Sequence, residues 1–239
     1  MFDFKDKVAV VTGGARGIGK CICDKFREAG AEVCVIDLLD NDYFTGDLSD
    51  KATLEAFAKK VIGEYGQVDY LINNAAPKMC GITDGSYEDF EYALKVGVTA
   101  PFYLSKLFAP HFAKGASIVN ISSTSIMGNP GQANYAAAKA AMVGFTRTMA
   151  KELGRKGVRM NCISPGYIDT EMMRAVGEER LNVAFIHNRT AAASPWTRGH
   201  EAGRIQLENA MDPKRLGQNI AGPSITCRSY FCADSREQG

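Results

Sequence analysis

Short apolar runs alternate along this chain with stretches in which apolar residues recur every three or four positions. Val8–Val11, Glu32–Ile36, Val68–Ile72, Ala116–Ile121 and Gly157–Ile163 are rich in β-branched residues and end in polar or glycine-containing turns, so each predicts a buried strand. Tyr43–Leu48 predicts a further short strand. Between them, Lys20–Ala29 predicts a helix closed by Gly30, and Leu54, Phe57, Val61, Ile62 and Tyr65 mark one face of a second. Residues 87–112 predict a long helical stretch, with a kink or irregular turn where Gly97 and Pro101 interrupt it. An alanine-rich helix carries Tyr135 and runs to about Gly154. Strands alternating with helices imply an α/β fold with a doubly wound, mainly parallel sheet, which places ligands at the C-terminal ends of its strands. The polar clusters of the chain all fall at such ends.

Beyond about residue 180 the pattern weakens. Residues 191–204 lack apolar periodicity and hold the only tryptophan, Trp196, while Pro223–Cys232 is the one later stretch that offers a strand. No linker divides the chain, so residues 1–239 read as a single domain with an atypical C-terminal end.

Composition narrows the function classes. A net charge of +1 gives no electrostatic motive for binding nucleic acid or an anionic membrane, and no apolar run approaches the length of a membrane span. The N-terminal Met1–Lys7 carries acids and no apolar core, unlike a secretory signal. The seven cysteines show no metal-ligand spacing, and the three histidines are scattered, so no metal is expected. Cys34 and Cys162 fall in apolar runs as small core residues, and the pattern fits a reducing cytoplasm.

The first strand breaks into Thr12-Gly-Gly-Ala-Arg-Gly-Ile-Gly19, and a helix and second strand follow. Gly13, Gly17 and Gly19 permit a tight turn whose N–H groups approach a pyrophosphate at the helix N-terminus. Asp37 stands eighteen residues after Gly19, where an acid accepts hydrogen bonds from both adenosine ribose hydroxyls and repels a 2′-phosphate. That favours NAD over NADP, although Arg16 in the glycine turn offers a cation to such a phosphate. Tyr135 and Lys139 lie four residues apart on one helix face, and a cation beside a phenol lowers its pKa toward the range of a general acid/base.

Together these residues resemble the short-chain dehydrogenase/reductase family over about residues 5–175. The resemblance is carried by the glycine turn at 12–19, Asp47-Leu48, Asn73-Asn-Ala-Ala76, Ile121-Ser-Ser123, Tyr135 with Lys139, and Pro165-Gly166. It implies a Rossmann-type domain with a seven-stranded parallel sheet, and hydride transfer between a nicotinamide cofactor and an alcohol/carbonyl pair. In texture the chain resembles 3-oxoacyl-carrier-protein reductases and NAD-dependent sugar and polyol dehydrogenases. By resemblance, Tyr135 is the acid/base, Lys139 tunes it and binds the nicotinamide ribose, and a serine orients the substrate oxygen. Gly13, Arg16, Gly17, Ile18, Gly19, Asp37, Asp47, Leu48, Asn74 and Ala75 would line the adenosine and pyrophosphate path. Pro165, Gly166, Ile168 and Thr170 would hold the nicotinamide end, with Tyr135 and Lys139 also contacting the cofactor. Residues 77–85, 125–134 and 170–210 would wall the substrate, a small-molecule alcohol or carbonyl compound, and homodimers or homotetramers are implied.

Three departures stand out. The family spacing selects Ser122, whereas the position at the strand end selects Ser123; Ser123 is preferred, because the intervening loop is one residue short. The helix asparagine that the family uses to hold a water on the proton relay falls at Gly97. The ending typical of the family is not recognisable after Lys214-Arg-Leu-Gly-Gln218. The last two departures admit a second reading, a catalytically impaired nucleotide-binding protein with a sensing or scaffolding role.

Overall fold

The computed structural model describes residues 3–166, 168, 170 and 171. Six parallel strands, β1 (Val8–Thr12), β2 (Glu32–Asp37), β3 (Phe44–Thr45), β4 (Val68–Asn73), β5 (Phe112–Ile121) and β6 (Arg159–Ile163), form one sheet in the order β3-β2-β1-β4-β5-β6. The order reverses between β1 and β4, which opens a crevice above their C-terminal ends. Five helices, α1 (Gly17–Glu28), α2 (Lys51–Tyr65), α3 (Tyr87–Leu94), α4 (Ala100–Phe108) and α5 (Ala133–Gly154), connect the strands. The sheet is the doubly wound one expected, with six strands rather than seven among the described residues.

Period-two alternation builds two cores. Val8 and Val10 of β1 face one side with Leu54, Phe57 and Val61 of α2, Leu104 and Phe108 of α4, and Leu153 of α5. Ala9 and Val11 face the other with Cys23 and Phe26 of α1, and Tyr70 and Ile72 of β4. Strands buried on both faces explain why the apolar runs are continuous rather than alternating. Phe57 is fully buried, its ring edge-on to those of Phe44 and Phe108 at 5.5 and 6.4 Å. Local signals fix the helix ends. Asp50 accepts from the N–H groups of Ala52 and Thr53 to start α2, Gly66 closes it at φ 70°, and Ser86 and Asp89 form a reciprocal capping box on α3.

The stretch 87–112 carries the interruption expected at Gly97, but its helix ends earlier than expected. Between α3 and α4 the residues Lys95–Thr99 form one wider π turn, and the ladder stops at Phe108 because Pro110 has no N–H to extend it. Strand β5 therefore starts at Phe112, four residues earlier than its apolar run suggests. The register shift between Val68 and Tyr70 and the positive φ of Gly115 (84°) accommodate the irregular segment 112–116. Strand β3 is shorter than expected, because the Asn41 carboxamide takes the N–H groups of Tyr43 and Phe44. The weakly patterned 176–222, Trp196 and the candidate strand at 223–232 lie outside the described residues.

Candidate active site

The cleft begins where β1 runs into the glycine turn. Gly13 holds φ +69°, and a β-carbon there would stand 2.8 Å from Ala75 Cα. One on Gly19 would lie 2.0 Å from the Gly13 carbonyl oxygen, so the turn closes only without side chains. Helix α1 starts after Arg16 with no side-chain cap and no acid in its first turn, which leaves its leading N–H groups facing the cleft as an anion site. Thr12 Oγ1 accepts from the N–H groups of Asn74 and Ala75, both at 3.1 Å. Asn74 Nδ2 donates in return to the Thr12 and Gly13 carbonyls at 3.1 and 2.9 Å. These four bonds fasten the ends of β1 and β4 across the crevice. Sequence reasoning placed Asn74 here and missed Thr12; its signal is a hydroxyl residue closing an apolar strand.

Asp37 ends β2 and is 8% exposed. Its Oδ2 accepts from Ala15 N–H at 2.9 Å and its Oδ1 from Leu39 N–H at 3.0 Å, which fixes the carboxylate beside the glycine turn.

At the other end of the cleft, β5 delivers the two serines, and alternation separates them. Ser122 is buried and donates to the Lys139 carbonyl at 2.8 Å. Ser123 caps a short turn at Thr124–Met127, accepts from Ser125 N–H at 3.1 Å, and lines the same cleft as Tyr135. Tyr135 and Lys139 share one face of α5, the Lys139 Nζ lying 5.6 Å from the Tyr135 ring centroid. The ammonium points to the Ile121 carbonyl, 2.6 Å away, rather than to the phenol oxygen.

The expected lowering of the tyrosine pKa by its lysine does not hold for the protein alone. Burial raises the Tyr135 pKa, and the Ser123 side chain works against that rise. Lys139, 2% exposed, is itself pulled down to about 8 because burial penalises the ammonium.

One cleft of about 390 Å³ is lined by Ser123, Tyr135, Lys139 and every residue assigned to the cofactor path, from Gly13 to Thr170. Sequence reasoning gave its far side only as ranges. The side chains there are Pro77, Lys78, Met79, Tyr92, Ser125, Asn129, Gln132 and Glu171.

The model of the short chain dehydrogenase family matches residues 7–181. The chain belongs to the short-chain dehydrogenase/reductase family. Among its relatives, the 3-oxoacyl-acyl-carrier-protein reductase of Vibrio cholerae is 36% identical over 242 residues, covering 92% of this chain and 90% of the relative. That of Thermotoga maritima is 34% identical over 204 residues, covering 75% and 81%. A short-chain dehydrogenase/reductase from Serratia marcescens superposes with a TM-score of 0.66 at 31% identity, over 71% of this chain and 77% of that one. A blue fluorescent protein from a metagenomic library, solved in complex with NADPH, gives 0.66 at 29% identity over 71% and 78%.

As a short-chain dehydrogenase/reductase, the protein is an oxidoreductase that binds a nicotinamide cofactor. The residues present fit such a group: a glycine cradle that side chains would fill, an uncapped helix N-terminus for the pyrophosphate, and a fixed carboxylate at the adenosine end. Gly97 remains the departure from the family. It sits in the π turn, so the kink is kept, but a β-carbon there would stand 2.9 Å from Ala138 Cβ of α5. Close helix packing leaves no room for a side chain at this position. Among the described residues, no cluster of ligating side chains could hold a metal, and no helix is long and apolar enough to cross a membrane.

Proposed function

We propose that this protein is an NAD(H)-dependent carbonyl reductase or alcohol dehydrogenase in which Tyr135 transfers the proton. The observation that carries this reading is that Ser123, Tyr135 and Lys139 line one cleft together with the glycine cradle. A carbonyl oxygen placed between the two hydroxyls receives a hydrogen bond from Ser123 and a proton from Tyr135 as negative charge develops on it. The cofactor, when bound, supplies or accepts the hydride. Lys139, whose ammonium donates to the Ile121 carbonyl, stands on the same helix face as the phenol and contributes to holding the nicotinamide ribose.

NAD is preferred because Asp37 is anchored by two backbone N–H groups and cannot easily swing aside to admit a 2′-phosphate. Arg16 and the NADPH held by the metagenomic relative point toward NADP; the fixed carboxylate is the stronger argument, since it stands in this chain itself. Cys23, Cys34, Cys80 and Cys162 are free thiols, which supports a reducing, cytoplasmic setting. The scaffold alternative is not favoured, because a protein with no chemistry has no need to keep Ser123, Tyr135 and Lys139 on one cleft.

The test mixes purified protein with NADH or NADPH and a panel of ketones, β-keto esters and a 3-oxoacyl thioester, and follows nicotinamide absorbance. Turnover with NADH exceeding that with NADPH is expected. Tight NADH binding with no turnover of any carbonyl compound would count against the assignment.

A further inference from the structure

Asn134 immediately precedes Tyr135, is 1% exposed, and lies outside the catalytic group just described. Its carboxamide is fully used. Oδ1 accepts from Cys80 N–H at 2.9 Å and from Tyr135 N–H at 2.7 Å, while Nδ2 donates to the carbonyls of Lys78 at 3.0 Å and Asp89 at 3.4 Å. Taking the N–H of residue 80 and the C=O of residue 78 together, the amide acts on the loop as a neighbouring strand would.

The rest of that loop reinforces the contact. Gly81 is buried, accepts no substituent without crowding Gly131 (3.2 Å to its Cα), and has its N–H capped by Asp84 at 2.8 Å. The segments 77–81 and 129–134, which both contribute lining residues to the cleft, are thus packed together and pinned at Asn134.

We propose that Asn134 is a positioning residue for the substrate: it fastens the loop bearing Lys78 and Met79 to the first turn of α5, and so sets the distance between that wall and the Tyr135 hydroxyl. The proposal deepens the reductase assignment and rests on it for its kinetic arm only. Removing the amide frees the loop without touching the glycine cradle, so substrate binding falls while cofactor binding stays.

Two variants separate position from simple loss of fold. N134A removes all four bonds. N134D keeps an acceptor for the Cys80 and Tyr135 N–H groups but turns a carboxylate oxygen toward the Lys78 carbonyl. Amide hydrogen exchange read by NMR is expected to accelerate about tenfold or more at Cys80 in N134A, with Gly13 and the β1 amides unchanged; N134D keeps the Cys80 protection. With ethyl acetoacetate as substrate, KM rises about tenfold in both variants while the NADH Kd stays within about threefold. Unchanged Cys80 exchange in N134A, an unchanged KM, or a loss of NADH affinity in parallel with KM would each overturn the proposal. If the wild type reduces no ketone at all, the functional assignment fails, and Cys80 exchange still decides whether the clamp exists.

Discussion

Replacing Lys139 by methionine should remove a rise in stability with pH that the wild-type protein shows. Lys139 is 2% exposed, and burial holds its pKa at about 8, down from the ordinary lysine value of 10.5. Between those two values the unfolded chain binds more protons than the folded one, so stability rises with pH through that window. Below the folded pKa the ammonium is charged in both states and its burial cost is felt in full. Integrated from neutral pH to about pH 9.5, the linkage amounts to a gain of about 2 kcal/mol. Methionine fills the same channel but leaves the Ile121 carbonyl without its donor, at a cost of about 1–3 kcal/mol that does not depend on pH. At neutral pH the two effects nearly cancel, so K139M should unfold close to the wild type there. Urea denaturation of both proteins without cofactor, near pH 7 and again near pH 9.5, measures the difference of differences, about 2 kcal/mol. Equal pH slopes in the two proteins would refute the reasoning, since every other titrating group is common to both.

The two serines should separate cleanly. S123A is expected to lower kcat on the order of a hundredfold with little change in stability, whereas S122A, which removes the buried hydroxyl bond to the Lys139 carbonyl, should cost about 1–2 kcal/mol of stability and keep kcat within a few-fold. Steady-state kinetics and thermal melts check both, and the reverse pattern would return the role to Ser122. D37S deletes the carboxylate facing the adenosine end, so the NADPH-to-NADH affinity ratio should rise about tenfold or more in fluorescence titrations, and a constant ratio would remove Asp37 from cofactor selection.

Much of this architecture is legible in the chain because its strands are buried on both faces and its helices on one. Continuous runs such as Val68–Ile72 and the spacing of Leu54, Phe57 and Val61 therefore announce themselves, and the glycine turn at 12–19 is dictated by contacts no side chain could survive. What the residues could not reveal depends on tertiary surroundings. The early start of β5 is one such case, arising where Pro110 stops the ladder and leaving no periodic trace, whereas the π turn at Lys95–Thr99 falls where Gly97 signals an interruption of the helix. The sign of the Tyr135 shift was inferred from its neighbour along the helix, but burial outweighs a lysine whose ammonium is turned to Ile121. Ser122 and Ser123 could not be told apart by counting residues; they part because successive strand residues face opposite sides. Thr12 and Asn134 escaped notice because a side chain that satisfies backbone groups of a distant loop carries no local pattern.

The most direct test of the central claim is the turnover of Y135F with NADH and a carbonyl substrate reduced by the wild type. Loss of the phenol proton should lower kcat by about 10²- to 10⁴-fold while NADH still binds within about threefold of wild-type affinity. A Y135F protein that reduces the substrate at the wild-type rate would contradict the assignment of Tyr135 as the group that moves the proton.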